Sequence, residues 1–121
     1  MYIYSFEKLE VWQIARKLGY NIYKITGKFP ETEKFGLVNQ LRRASISVCS
    51  NIAEGNSRIS FKEKAHILRI AYSSLMEVIN QLIICADLEF ITADELSTFR
   101  VVADELSNKL NALYNKTMNK S

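Results

Sequence analysis

The sequence predicts an all-α fold, an antiparallel up-down-up-down four-helix bundle, on three observations. Apolar residues recur at alternating steps of three and four over long stretches, the period of one helix face and not of a strand. Breakers are scarce, with one proline and four glycines in 121 residues, so the elements must be few and long. The segments between the periodic stretches are short, which forces neighbouring helices to run antiparallel.

The first helix is expected from about Glu7 to Thr26, with its seam at Val11, Ala15, Leu18, Ile22 and Ile25. Gly27 to Pro30 make the turn, and a proline is tolerated in the first turn of the next helix because its missing N–H would be unpaired there anyway. The second helix is expected from about Glu31 to Glu54, with Val38, Leu41, Ser45, Val48 and Ile52 on one face. Gly55 is expected in the left-handed conformation that closes many helices. Ser60 with Glu63 forms a capping box that opens the third helix. Its seam runs unbroken from Phe61 through Ala65, Leu68, Tyr72 and Leu75 to Ala86, with a last turn at Leu88–Ile91. Thr92 with Glu95 is a second capping box, and the fourth helix buries Leu96, Phe99, Ala103, Leu106, Leu110 and Leu113.

A chain of this length supports one core, so one domain is expected over residues 1–121. Its 48% hydrophobic and 24% charged residues are those of a folded protein and not a disordered one. No apolar run reaches the ~20 residues of a membrane span, and Met1 to Lys8 mixes aromatics with charges. The expectation is an intracellular protein without a membrane partner. Cys49 and Cys85 stand inside helical patterns and read as buried thiols in a reducing compartment. With His66 the only histidine, no zinc set can be assembled.

The third helix carries more apolar surface than its seam needs. Ile67, Ala71, Met76, Val78, Ile83 and Cys85 widen the face to roughly 180°, against the roughly 100° a surface helix buries. Ile70 lies outside even that arc. Two readings stand: a thick core with scattered surface isoleucines, or a second face against another subunit. The second is the stronger expectation, because Trp12 and Tyr23 also lie off the seam of the first helix and exposed aromatics anchor interfaces. Trp12, Tyr23, Ile67 and Ile70 are therefore the candidate interface residues, and a homo-oligomer is expected.

Catalysis finds little to work with. General acid–base chemistry wants a titratable pair in a cleft, and nucleophilic chemistry wants Ser or Cys beside a base. His66 falls on the polar side of its helix, no Glu-x-x-His motif exists for a di-iron bundle, and no glycine-rich phosphate loop is present. A non-catalytic protein without cofactor, metal or small-molecule substrate is expected. The formal net charge of +3 is a modest bias, concentrated in the first half of the chain. Arg16, Lys17, Arg42, Arg43, Arg58 and Lys62 are the candidate contacts to nucleic acid, arginine-rich as phosphate recognition prefers but without interleaved exposed aromatics for base stacking. In a ring the charge of each copy would pool. On the second helix Arg43, Ser47, Ser50 and Glu54 share one polar stripe.

Several segments, in order, resemble one known family. They are Phe6-Glu7-Lys8-Leu9 with Val11-Trp12-Gln13, then Phe29-Pro30 with Glu33-Lys34-Phe35-Gly36-Leu37, then Gln40-Leu41-Arg42-Arg43-Ala44. Ser50-Asn51-Ile52-Ala53-Glu54-Gly55 and Ala71-Tyr72-Ser73-Ser74-Leu75-Met76-Glu77 complete the set. Together these resemble the four-helix-bundle family of 23S rRNA-intervening-sequence proteins. The fold is also similar to the accessory variability determinant of diversity-generating retroelements, a basic pentameric barrel that works with a reverse transcriptase and nucleic acid. The resemblance implies a bacterial cytoplasmic protein that assembles as a homopentamer, and it points first to Arg42, Arg43 and Arg58. The resulting expectation is an oligomer that binds RNA, DNA or a ribonucleoprotein through a basic surface. Its rival is a protein-interaction scaffold whose arginines serve only salt bridges between subunits.

Overall fold

The computed structural model describes residues 1–120 and contains four long helices, with no strand among those residues. Helix α1 spans Glu10–Thr26, α2 Leu37–Ser57, α3 Phe61–Asp87 and α4 Ala93–Met118. Each helix packs on its neighbours in sequence, and α1 closes the set against α4, while the two diagonal pairs do not touch. That pattern is the up-down-up-down bundle. Polar ties join the four seams: Arg42 reaches Thr26 between α2 and α1, and Ser47 meets Ser74 between α2 and α3. Arg69 donates to Asn111 between α3 and α4, and Lys109 pairs with Glu10 between α4 and α1.

The core follows the predicted seams except at Phe61, which is 41% exposed at the start of α3. Ala15, Leu18, Ile22, Leu41, Val48, Ile52, Leu75, Leu82, Leu106 and Leu110 are all buried. Helix α1 approaches α2 closely where Gly19 faces Ser45, whose hydroxyl would lie 3.9 Å from a side chain built at the glycine. Cys85 is fully buried, and burial together with nearby Glu33 pushes its thiol up to about 11. At pH 8 such a thiol is ionised in roughly one molecule in a thousand. In the native protein Cys85 is expected to resist iodoacetamide for hours and to react once guanidinium unfolds the chain, which peptide mass spectrometry would show.

The helix ends differ from the expectation in instructive ways. Residues Ser5–Lys8 form a 3₁₀ turn and α1 begins only at Glu10, because the Glu7 carboxylate turns back to accept from the Tyr4 amide at 2.7 Å. Helix α2 begins at Leu37 and not at Glu31, since Glu31–Glu33 is a separate 3₁₀ turn and Gly36 breaks the backbone between them. Gly55 does not stop α2. It is buried and helical, and the helix runs on to Ser57. A methyl group at Gly55 would sit 3.4 Å from Cγ2 of Ile67, so the missing side chain lets α2 and α3 close on each other. Ser60 and Thr92 both cap their helices, their hydroxyls accepting from the amides of Glu63 and Glu95. Only Glu95 reaches back to the cap amide, so the expected capping box is complete at Thr92 and half-made at Ser60.

Helix α3 ends on a residue that carries no stop signal of its own. Glu89 adopts φ 64°, the left-handed region, and the amides of Glu89 and Phe90 reach back to the carbonyls of Ala86 and Cys85. These are the two bonds of a Schellman motif. The left-handed backbone costs a non-glycine residue about 1–2 kcal/mol. Packing of the Phe90 ring at 5.4 Å from Phe29 offsets it.

The apolar excess of α3 is mostly absorbed within the chain. Ile67, Ala71, Val78 and Cys85 are all buried, because α3 is flanked by both α2 and α4. Ile67 is thus a core residue, contrary to its expected place on a subunit interface. By length and composition α3 is apolar enough to cross a membrane, with mean hydropathy 1.3 over its best window, contrary to the reading that no run approaches a span. Here it packs between α2 and α4. Ile70 and Ile84 remain on its exposed side.

Candidate nucleic-acid interface

The six cations selected from the sequence lie on three parts of the surface. Consecutive helical residues project about 100° apart, and this separates Arg42 from Arg43. Arg42 turns toward α1, where its Nε donates to the Thr26 hydroxyl at 2.9 Å and its Nη2 to the Tyr23 carbonyl at 3.2 Å. That carbonyl also accepts from the Gly27 amide and the Thr26 hydroxyl, and a cation in the last turn of α1 is favoured by the helix dipole. Its guanidinium lies 4.5 Å from the centre of the Tyr23 ring. Arg16 lies 5.4 Å from the centre of the Trp12 ring on the same seam. The arginines therefore do have aromatic neighbours, contrary to the expectation, but these two are occupied by contacts within the chain. The signal was present in the spacing: Trp12, Arg16 and Tyr23 share one stripe of α1, as Arg42, Ile46 and Cys49 share one stripe of α2.

Exposure along this α1–α2 seam is uneven. Tyr20, Tyr23 and Ile46 are 64%, 44% and 47% exposed, whereas Trp12 is half-buried, with the Phe6 ring edge-on at 5.1 Å. Cys49 sits beneath the seam, and burial raises its thiol pKa despite the opposing pull of Arg16. Ile70 is on the other flank of α2, so the structure does not bring it together with Trp12 and Tyr23. Lys17 points away from the core with no partner among the described residues.

Arg43, Arg58 and Lys62 lie along the opposite groove, between α2 and α3. Arg43 is exposed and unpartnered among the described residues; Arg58 and Lys62 meet at the corner where α2 gives way to α3, beside His66 and Ile67. From Arg43 to Arg58 the groove extends roughly 22 Å along the helix axis. Its floor between them is polar, formed by the Ser47–Ser74 contact at 2.9 Å and by Asn51, whose amide donates to the Ser47 carbonyl at 2.8 Å. Arg58 pairs with Glu54 at 2.6 Å, their side chains 43% and 53% exposed. A surface pair of this kind contributes about 0–1 kcal/mol, so an incoming phosphate can displace the carboxylate at little cost.

The topology adds cations that sequence order disperses. The start of α1, the end of α2, the start of α3 and the end of α4 all fall at one end of the bundle. Lys8, Arg58, Lys62, Lys64, Lys116 and Lys120 gather there, facing Glu7, Glu10, Glu54 and Glu63. Asn56 donates to Ser5, Lys64 to the Asn56 carbonyl, and Lys120 lies over the Phe61 ring, which ties this end together. The opposite end lacks that bias, since Glu31, Glu33, Asp87, Glu89, Asp94 and Glu95 balance its lysines and arginines. No cluster of three or more His, Cys, Asp or Glu side chains able to hold a metal occurs among the described residues.

Helix order and seam packing define an antiparallel four-helix bundle whose α2–α3 groove carries Arg43, Arg58 and Lys62. The chain belongs to the family of 23S rRNA-intervening sequence proteins, whose model matches residues 7–112. It is similar to a crystal structure of a protein of unknown function from the S23 ribosomal protein family of Bacteroides thetaiotaomicron. The TM-score is 0.77 at 21% identity, over 86% of this chain and 97% of that one, a likeness of fold. No curated protein matches the chain.

Proposed function

We propose that this chain is a non-catalytic helical bundle that assembles as a homo-oligomer and binds single-stranded RNA along the α2–α3 groove. The observation that carries the reading is the gathering of cations at one end of the bundle, continued along the groove by Arg43. The α1–α2 seam is assigned to self-association. Its exposed Tyr20, Tyr23 and Ile46 with adjoining arginines match the composition of interface cores, and a pentamer is the state that the family resemblance implies. A closed ring requires two different patches on each copy, of which the seam is one. Repeating the basic end around a ring concentrates positive potential on one face. The α2–α3 groove remains open beside it.

The test is fluorescence anisotropy with a labelled single-stranded RNA at low salt. Reversing two charges, Arg58→Glu with Lys62→Glu, is expected to weaken binding by about 100-fold, at roughly tenfold or more for each lost charge-assisted phosphate contact. Helicity and mass should stay those of the parent protein, because both side chains are exposed. Undiminished binding by this variant would remove the groove from the account. Absence of RNA binding by the parent protein would leave the scaffold reading, in which the arginines serve only salt bridges between subunits.

A further inference from the structure

The upper part of the α2–α3 groove contains a buried polar group with nothing to bond. Gln81 on α3 is 6% exposed, and its Oε1 has no hydrogen-bond partner. Its Nε2 reaches the Gln40 side-chain oxygen only at 3.4 Å. Turning the amide over would exchange an orphan acceptor for an orphan donor, so neither assignment satisfies the group. A buried, unsatisfied amide is costly, and an apolar side chain of the same shape would fit at least as well. An amide kept here therefore points to a ligand.

Gln81 is also surrounded by unused charge. Arg43 and Glu77 line the same groove with Gln40 and Ser47, around a volume of about 400 Å³. Neither Arg43 nor Glu77 has an ion-pair or hydrogen-bond partner among the described residues. The volume lies in the range of small-ligand sites. Opposite charges that share a groove without pairing leave room for a group that bonds to both. Such a group must accept from a guanidinium on one edge and donate to a carboxylate and an amide oxygen on another.

We propose that this pocket takes one unstacked guanine of the bound RNA strand, an inference that rests on the nucleic-acid reading above. Guanine presents O6 and N7 as acceptors, the commonest partners of an arginine fork, which here is Arg43. Its N1–H and N2–H groups are donors, suited to Glu77 and to Oε1 of Gln81. Adenine brings its amine but no acceptor at position 6; uracil offers a single edge N–H; cytosine donates from N4 but has no second donor beside it. Guanine alone satisfies all three protein groups. Recognition of a splayed-out base by its edges is how sequence is read in single-stranded RNA.

The experiment compares short uridine oligomers that carry one central guanine, adenine or cytosine, or none, by anisotropy with the full-length protein. The guanine oligomer is expected to bind about tenfold more tightly than plain uridine. Gln81→Met and Glu77→Gln should each abolish that margin. Gln81→Met should leave the affinity for plain uridine unchanged, and Glu77→Gln, which takes a carboxylate out of a phosphate-binding groove, should not lower it. Gln81→Met should melt no lower than the parent protein. Equal affinity for all four oligomers, survival of the margin in both variants, or a Gln81→Met protein that melts several degrees lower would each overturn the guanine pocket while sparing the groove. Failure of every oligomer to bind at low salt would overturn both.

Discussion

Replacing Leu75 by alanine is expected to lower the unfolding free energy by about 2–5 kcal/mol. Leu75 is fully buried in the middle of α3. It therefore loses its transfer free energy, and the four helix backbones around it cannot easily collapse into the space. Urea unfolding of parent and variant at one fixed protomer concentration would measure the difference, since assembly makes stability concentration-dependent. The midpoint should fall with little change in slope. A loss below about 1 kcal/mol would mean that Leu75 is not packed in the core.

Introducing a charge at Ile46 is expected to separate assembly from folding. Ile46 is 47% exposed and stands between Arg42 and Cys49 on the α1–α2 seam. Ile46→Glu should therefore leave the circular dichroism spectrum unchanged. A carboxylate forced into a subunit contact costs several kcal/mol, which at micromolar concentration is enough to dissociate an assembly of ordinary affinity. Light scattering should give a mass several times 13.9 kDa for the parent and close to 13.9 kDa for the variant. A parent protein already at 13.9 kDa, or a variant that keeps the larger mass, would take the seam out of the interface. Ile67→Glu is the wrong probe for this purpose, because Ile67 is packed against Gly55 inside the chain.

The four helices were legible because the seams at Val11–Ile22, Val38–Ile52, Ala65–Leu82 and Phe99–Leu110 keep helical period, and both hydroxyl caps announced themselves three residues ahead of a glutamate. Ends set by tertiary contact were not. Gly55 has the chemistry of a stop signal, yet α3 presses Ile67 against it and the helix continues. Glu89 closes α3 in a conformation usually left to glycine, and only the docking of Phe90 on Phe29 explains its place there. The apolar arc of α3 was visible, but its division between α2, α4 and the outside depends on which helices flank it.

The candidate site was legible in composition and not in arrangement. Adjacent arginines at 42 and 43 read as one feature, whereas the helix sends them into different grooves with different work. Removing both at once would disturb the α1–α2 tie and the α2–α3 groove together, so Arg43 must be changed alone. Lys8, Lys64, Lys116 and Lys120 could not be grouped with Arg58 from spacing, because only the bundle topology brings four helix ends to one place. Gln81 carried no signal at all: its significance is an unpaired oxygen.

The salt dependence of RNA binding tests the central claim most directly. If the phosphates of a uridine strand, which has no guanine to occupy Arg43, lie along Arg43, Arg58 and Lys62, the logarithm of the association constant should fall linearly with the logarithm of salt, by about 0.7 for each phosphate engaged on a single strand. One strand on one groove should then give a slope of about −2, and Arg43→Ala should make it shallower by about 0.7. A flat line, or a slope unaltered by Arg43→Ala, would contradict the account.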